Sequence, residues 1–228
     1  MEKLAGLHRP SGQNESASPP ERDITSRNLG ESCIVRSAAV KSSATALAAG
    51  DDRGDGDGDG VLRQGNRSVK IAIWGVGAVG IGLATALART KSRIQLLIRS
   101  EETAREVASR GITRTGRFGE VRIPPEQPEV LRTARELREH PADWLLVCTK
   151  SHSTPASASE LEDHAERLKG TTRLLLCQNG WENGTPFLNY WPTDRLFHAR
   201  IITGFHKRTA TSVEITAHAA AIALGSLY

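Results

Sequence analysis

The chain has 228 residues, a formal charge of +4, 38% apolar residues and three cysteines. No run of about 18 apolar residues occurs, which excludes a membrane-spanning helix. The mild basic balance is scattered: Arg132, Arg135 and Arg138 are interleaved with Glu129, Glu136 and Glu139, a solvated helix face rather than a nucleic-acid surface.

Residues 1–68 carry nine Lys/Arg against ten Asp/Glu and no aromatic residue, whereas residues 69–228 carry 21 against 16 and hold every aromatic in the chain. The first segment therefore has too little apolar surface to offset chain entropy and is expected to be a disordered, low-complexity tail. That leaves 160 residues, which suit one α/β domain. The N-terminus has no apolar signal-peptide core, and Glu2, Glu15 and Glu21 argue against a transit peptide. A cytoplasmic location is expected. Cys33, Cys148 and Cys177 are an odd count without paired spacing, which reads as reduced thiols. In the acidic run 51–60, Asp55, Asp57, Asp59 and Gly60 match the early positions of a calcium loop. The twelfth position is Asn66 where a bidentate Glu is needed, so the run reads as a Gly/Asp linker. Arg53-Gly54-Asp55 spells an adhesion tripeptide, which a chain without an export signal would not display. No metal site is expected.

At Val69 the pattern changes. Residues 69–74 are apolar at nearly every position, as the interior of a parallel sheet requires. Gly75-Val76-Gly77-Ala78-Val79-Gly80 follows, and then a helical run of small and aliphatic residues, 81–88. Between a strand and a helix each glycine of this GxGxxG pattern has a task. Gly75 makes the tight turn, Gly77 lets the backbone approach a pyrophosphate, and Gly80 lets helix and strand pack closely. The helix N-terminus then offers free N–H groups to phosphates.

The second strand, 93–98, ends at Arg99-Ser100. A site preferring NAD carries Asp or Glu there for the ribose 2′-hydroxyl; a guanidinium suits a 2′-phosphate instead. The cofactor read from this position is NADP(H), with a plain surface arginine as the alternative. Glu101 opens the helix 101–110 and is expected to serve its N-terminal dipole. A hairpin is predicted from 111–114 and 120–123, and a helix over 129–139. A buried strand over 143–149 leads to Lys150-Ser151-His152, and Thr154 reads as the N-cap of a helix striped by Ala158, Leu161, Ala165 and Leu168. A further strand, 172–177, ends in Gln178-Asn179-Gly180. Strand–helix–strand alternation of this kind specifies a Rossmann-type, doubly wound parallel sheet. Ligands bind such sheets beyond the carboxyl ends of the strands. Lys150 offers an ammonium there, and Asn179 offers both a donor and an acceptor, although Asn179-Gly180 is also a common turn pair. His152 reads as an exposed loop residue.

With the glycine loop, Val147-Cys148-Thr149-Lys150 and Gln178-Asn179-Gly180-Trp181-Glu182-Asn183 in place, the chain from about Val69 onward resembles the ketopantoate reductase (2-dehydropantoate 2-reductase) family. The resemblance extends to a closing stretch around Gly204, His218 and Gly225, where Ala219 follows the histidine and the family prefers glycine. It implies NADPH-dependent reduction of a small 2-oxo acid, 2-dehydropantoate, on the route to pantothenate. The cofactor-binding residues expected are Gly75, Val76, Gly77, Ala78, Val79, Gly80, Arg99, Lys150, Asn179 and Gly180; the resemblance implies that Lys150 and Asn179 contact NADPH near the nicotinamide end, with Asn179 also reaching substrate. Residues 1–68 have no counterpart in the family. The sequence ends at Tyr228, where family members continue into a helical domain that carries the proton-donor lysine. No catalytic residue is therefore assigned, little activity is expected of this chain alone, and a homodimer is expected only where that domain is present. A reductase of another 2-oxo acid and a non-catalytic NADP-binding module are the competing readings.

Overall fold

The computed structural model describes residues 68–180 and 182–226. The readings of residues 1–67, including the tail, the calcium-loop comparison and Cys33, lie outside them. The apolar runs become strands β1 (Lys70–Trp74), β2 (Arg93–Leu97), β6 (Trp144–Val147) and β7 (Arg173–Leu176). Together with β5 (Glu129–Leu131), β8 (Leu196–Arg200) and β11 (Ala223–Ser226) they form one sheet in the order β11-β8-β7-β6-β1-β2-β5. All neighbours are parallel except β11, which runs antiparallel to β8 on the edge. Among the parallel strands, the third, second and first in the chain are followed by the fourth, fifth and sixth, the Rossmann order.

Each face of the sheet has its own core, as double winding requires. On one face Ile71, Ile73, Ile94 and Leu96 pack against α1 (Ala78–Leu87) and α2 (Glu101–Arg110). On the other, Trp74, Leu145, Val147 and Leu176 pack against α3 (Ala134–Glu139), α4 (Thr154–Glu162) and α5 (Ala165–Leu168), with Phe187 and Trp191. The sequence does not announce the second sheet. The predicted hairpin, β3 (Ile112–Gly116) and β4 (Val121–Ile123), joins β9 (Thr203–Lys207) and β10 (Ser212–His218) in the order β4-β3-β10-β9. This sheet covers the outer side of α1. Gly80 through Thr85 are therefore all buried, and a Cβ on Gly82 would sit 2.3 Å from the Phe205 ring. The uniformly small and aliphatic α1 is the mark of a helix between two sheets.

Three sequence expectations change. Residues 129–139 are not one helix: β5 occupies the first three and pairs with β2, where Gln95 Nε2 donates to Glu129 Oε2 at 2.8 Å. The helix starts only at Ala134. The apolar stripe Ala158, Leu161, Ala165 and Leu168 is buried as expected but runs over two helices. Thr154 is not the N-cap; a short 3-10 turn, Ser151–Ser153, precedes the helix, and the buried Thr154 hydroxyl bonds elsewhere.

Candidate cofactor cleft

The strand order brings Asn179, Lys150, Gly75 and Arg99 to the carboxyl ends of four adjacent strands, β7, β6, β1 and β2. The chain reverses its winding between β6 and β1, the switch point at which doubly wound sheets hold ligands.

Gly75 turns the chain out of β1 with φ +101°, a conformation that side-chain-bearing residues rarely adopt. Its N–H donates to Leu97 O at 3.3 Å. A Cβ on Gly80 would lie 2.0 Å from Gly75 O, so only glycine lets α1 start this close to the strand. Gly77 is the N-cap residue; it carries no side-chain cap, and Ile81 N closes the first helical bond onto Gly77 O at 3.0 Å. The amides of Ala78, Val79 and Gly80 precede that bond, and the first turn has no acidic residue. This leaves the positive end of α1 open to an anion. A Cβ on Gly77 would meet nothing within 4 Å, so the loop presents bare backbone to the cleft. These features fit a pyrophosphate. Val76, Ala78 and Val79 complete the loop, with Val76 buried beneath it.

Next to the loop lies a cavity of about 140 Å³, lined by Gly75, Val76, Ile98, Arg99, Ser100 and Thr149. Arg99 is exposed at its rim. Ser100, which the sequence reading passed over, caps α2 by accepting from Thr103 N at 3.3 Å. Glu101 lies in the first turn as expected, but its carboxylate is also paired with Arg105 at 3.2 Å and Arg132 at 2.9 Å.

Lys150 and Asn179 are both exposed. A polar network holds the turns that carry them. Gln178 Nε2 donates to Thr149 Oγ1 at 3.1 Å and to Thr154 Oγ1 at 2.7 Å, and Thr154 donates to Asn183 Oδ1 at 3.2 Å. Asn183 Nδ2 donates to the carbonyls of Asn179 at 3.1 Å and Gly180 at 3.2 Å. Gly180 has φ +107°, so the Asn179-Gly180 turn and its exposed side chain coexist. His152 is exposed in the 3-10 turn. Lys207 was not foreseen. From β9 its ammonium reaches Val76 O in the glycine loop at 3.5 Å, so Lys150 is not the only lysine at the cleft. Its sequence distance from the loop, 131 residues, left no local signal.

A larger cleft of about 640 Å³ opens at the opposite, amino ends of β1 and β2, between Lys70, Arg93, Gln95, Glu129 and His140. Glu129 there is already engaged by Gln95 and His140. The carboxyl-end cleft, with its bare helix terminus and convergent polar groups, is the functional candidate.

The family profile described as ketopantoate reductase PanE/ApbA matches residues 71–227. The chain belongs to this family. No curated protein sequence matches it. Among solved structures it is similar to a probable 2-dehydropantoate 2-reductase from Bacillus subtilis, with 24% identity and a TM-score of 0.55 over 68% of this chain and 49% of that one. A 2-dehydropantoate 2-reductase from Geobacter metallireducens gives 23% identity and a TM-score of 0.59 over 69% and 49%. D-mandelate dehydrogenase, solved with NADH and anilino(oxo)acetate, gives 18% and 0.60 over 70% and 48%. These likenesses show a shared fold. The chain spans about half the length of the solved structures it matches. The family is one of oxidoreductases, and among the described residues of this chain no helix is long and apolar enough to cross a membrane.

Proposed function

We propose that this chain is the NADP(H)-binding half of a cytoplasmic 2-oxo acid reductase whose substrate is 2-dehydropantoate. The observation that carries the reading is the alignment of a bare glycine loop, Arg99, Lys150 and Asn179 along four adjacent strand ends in a ketopantoate reductase family fold. Gly75 to Gly80 and the amides of α1 hold the pyrophosphate, and Lys207 adds positive charge at the loop. Arg99 at the rim of the adjoining cavity engages the 2′-phosphate through its N–H fork. When bound, the cofactor supplies hydride to the carbonyl carbon of the substrate. Lys150 and Asn179 face the nicotinamide end, and Asn179 orients the substrate through its amide. Reduction also requires a proton at the carbonyl oxygen; we assign that donor to a lysine outside this sequence.

The test is NADPH oxidation by the full chain with a panel of 2-oxo acids. The expected result is a slow rate that is highest with 2-dehydropantoate. A fast rate would overturn the assignment of the donor to another segment, and a higher rate with a different 2-oxo acid would overturn the substrate.

A further inference from the structure

Arg132 organises the cavity wall on which Arg99 stands. It is the first residue after β5, and its guanidinium reaches back under the turn between β2 and α2. Nη2 donates to the Arg99 carbonyl at 3.0 Å and Nη1 to the Ser100 carbonyl at 3.3 Å. Nη2 also lies 2.9 Å from Glu101 Oε2, while Glu101 Oε1 is taken by Arg105 Nε at 3.2 Å. Arg132 is itself fixed from behind. Both Glu136 oxygens accept from its backbone N–H, at 3.3 and 3.2 Å, and Oε1 accepts from the Thr133 hydroxyl at 3.1 Å. The neighbouring Leu131 carbonyl accepts from Ile98 N at 2.8 Å. The start of α3 is thereby locked to the end of β2.

Two effects follow. The grip on two consecutive carbonyls fixes the backbone of Arg99 and Ser100, and so the direction from which the Arg99 side chain leaves the strand. The second effect is electrostatic. Glu101 is two residues beyond Arg99 and next to the cavity-lining Ser100, and a free carboxylate there would favour a ribose diol and repel a phosphate dianion. With a guanidinium on each oxygen it does neither.

We propose that Arg132 is a positioning residue that sets the preference of the cleft for a 2′-phosphorylated adenosine ribose, by clamping Arg99 and Ser100 and by neutralising Glu101. The inference rests on the NADP(H) reading above. NADPH and NADH are titrated calorimetrically against the full chain as wild type, R132M, R132K and R132M/E101Q. R132M is expected to weaken NADPH binding about tenfold and NADH binding less than about twofold. Adding E101Q removes the exposed carboxylate and is expected to restore about threefold of the NADPH affinity. R132K keeps a charge near Glu101 but loses the forked grip, with an expected loss of about threefold. Without cofactor, amide exchange over residues 99–103 should quicken in R132M while that of β1 and β6 stays slow, which separates a released clamp from unfolding. A wild type that binds NADH more tightly overturns the NADP(H) reading and the proposal with it. A wild type preferring NADPH, whose preference survives R132M and R132K, overturns the proposal alone, as does an equal loss for both dinucleotides.

Discussion

The Ser151 hydroxyl donates to the Asn179 carbonyl at 2.6 Å and so ties the turn after β6 to the turn after β7. The same carbonyl accepts from Asn183 Nδ2 at 3.1 Å. The backbone of Asn179 is thus held twice, while its side chain stays exposed. Replacing Asn183 by Ala removes one of the two donors to the Asn179 carbonyl, the donor to the Gly180 carbonyl and the acceptor of the buried Thr154 hydroxyl, at a cost of about 2 kcal/mol. Ser151→Ala should cost about 1 kcal/mol or less, because its site is exposed to water. Urea titrations measure both, and the expected order is Asn183→Ala below Ser151→Ala below wild type.

The glycine loop separates packing from binding. Gly80→Ala forces a Cβ to within 2.0 Å of Gly75 O, and its expected cost is about 3 kcal/mol. Gly77→Ala adds a Cβ that meets nothing within 4 Å at φ −85°, so its cost should stay below about 1 kcal/mol. That Cβ nevertheless stands on the surface assigned to the pyrophosphate. Gly77→Ala should therefore keep its thermal midpoint and lose at least about tenfold in dinucleotide affinity, whereas Gly80→Ala should lose both.

Arg114 in β3 is fully buried, and Nη2 donates to the Phe118 carbonyl at 3.1 Å; among the described residues Nε and Nη1 find no partner. Burial, and then the charge of Arg89, hold its pKa below the ordinary arginine value. A buried cation without a carboxylate is destabilising, and an unbranched apolar side chain of similar length fits the space. Arg114→Met should raise stability by about 1 kcal/mol, seen as a higher thermal midpoint. A lower one would mean that the Phe118 contact outweighs desolvation.

Cys148 directly follows β6 and Cys177 directly follows the neighbouring strand β7. The neighbouring Cys177 thiol and then burial hold the Cys148 thiol well above its usual range. The folded chain keeps this thiol protonated while the unfolded chain ionises it near about pH 8.5. Its contribution to stability is therefore present below that pH and is lost as pH rises through the folded value. Cys148→Ala should flatten the fall in stability above about pH 8.5, measured by urea titrations along an alkaline pH series.

The parts of the fold legible in the sequence are those whose cause is local. Residues 71–74 and 144–147 are apolar throughout because both faces of their strands are covered, and Gly75, Gly77 and Gly80 stand at the spacing a strand–turn–helix imposes. The β5 strand was hidden because its three residues precede a genuine helix and have no period of their own; pairing with Gln95 decides them. The second sheet was hidden because β3 finds its partner in β10, about a hundred residues on. Candidate residues at strand ends, Arg99, Lys150 and Asn179, could be named from position alone. Their supports could not: Arg132, Ser151, Asn183 and Lys207 act through contacts that only the folded chain creates.

Arg99 and the bare start of α1 together are proposed to form the NADP(H) site. Its most direct test is the pair of dissociation constants for NADPH and NADH, measured calorimetrically on the full chain and on Arg99→Ser. NADPH is expected to bind the wild type at least about tenfold more tightly, and the preference should fall toward unity in Arg99→Ser through weaker NADPH binding alone. Equal affinities in the wild type, tighter binding of NADH, or a preference that survives Arg99→Ser would contradict this assignment.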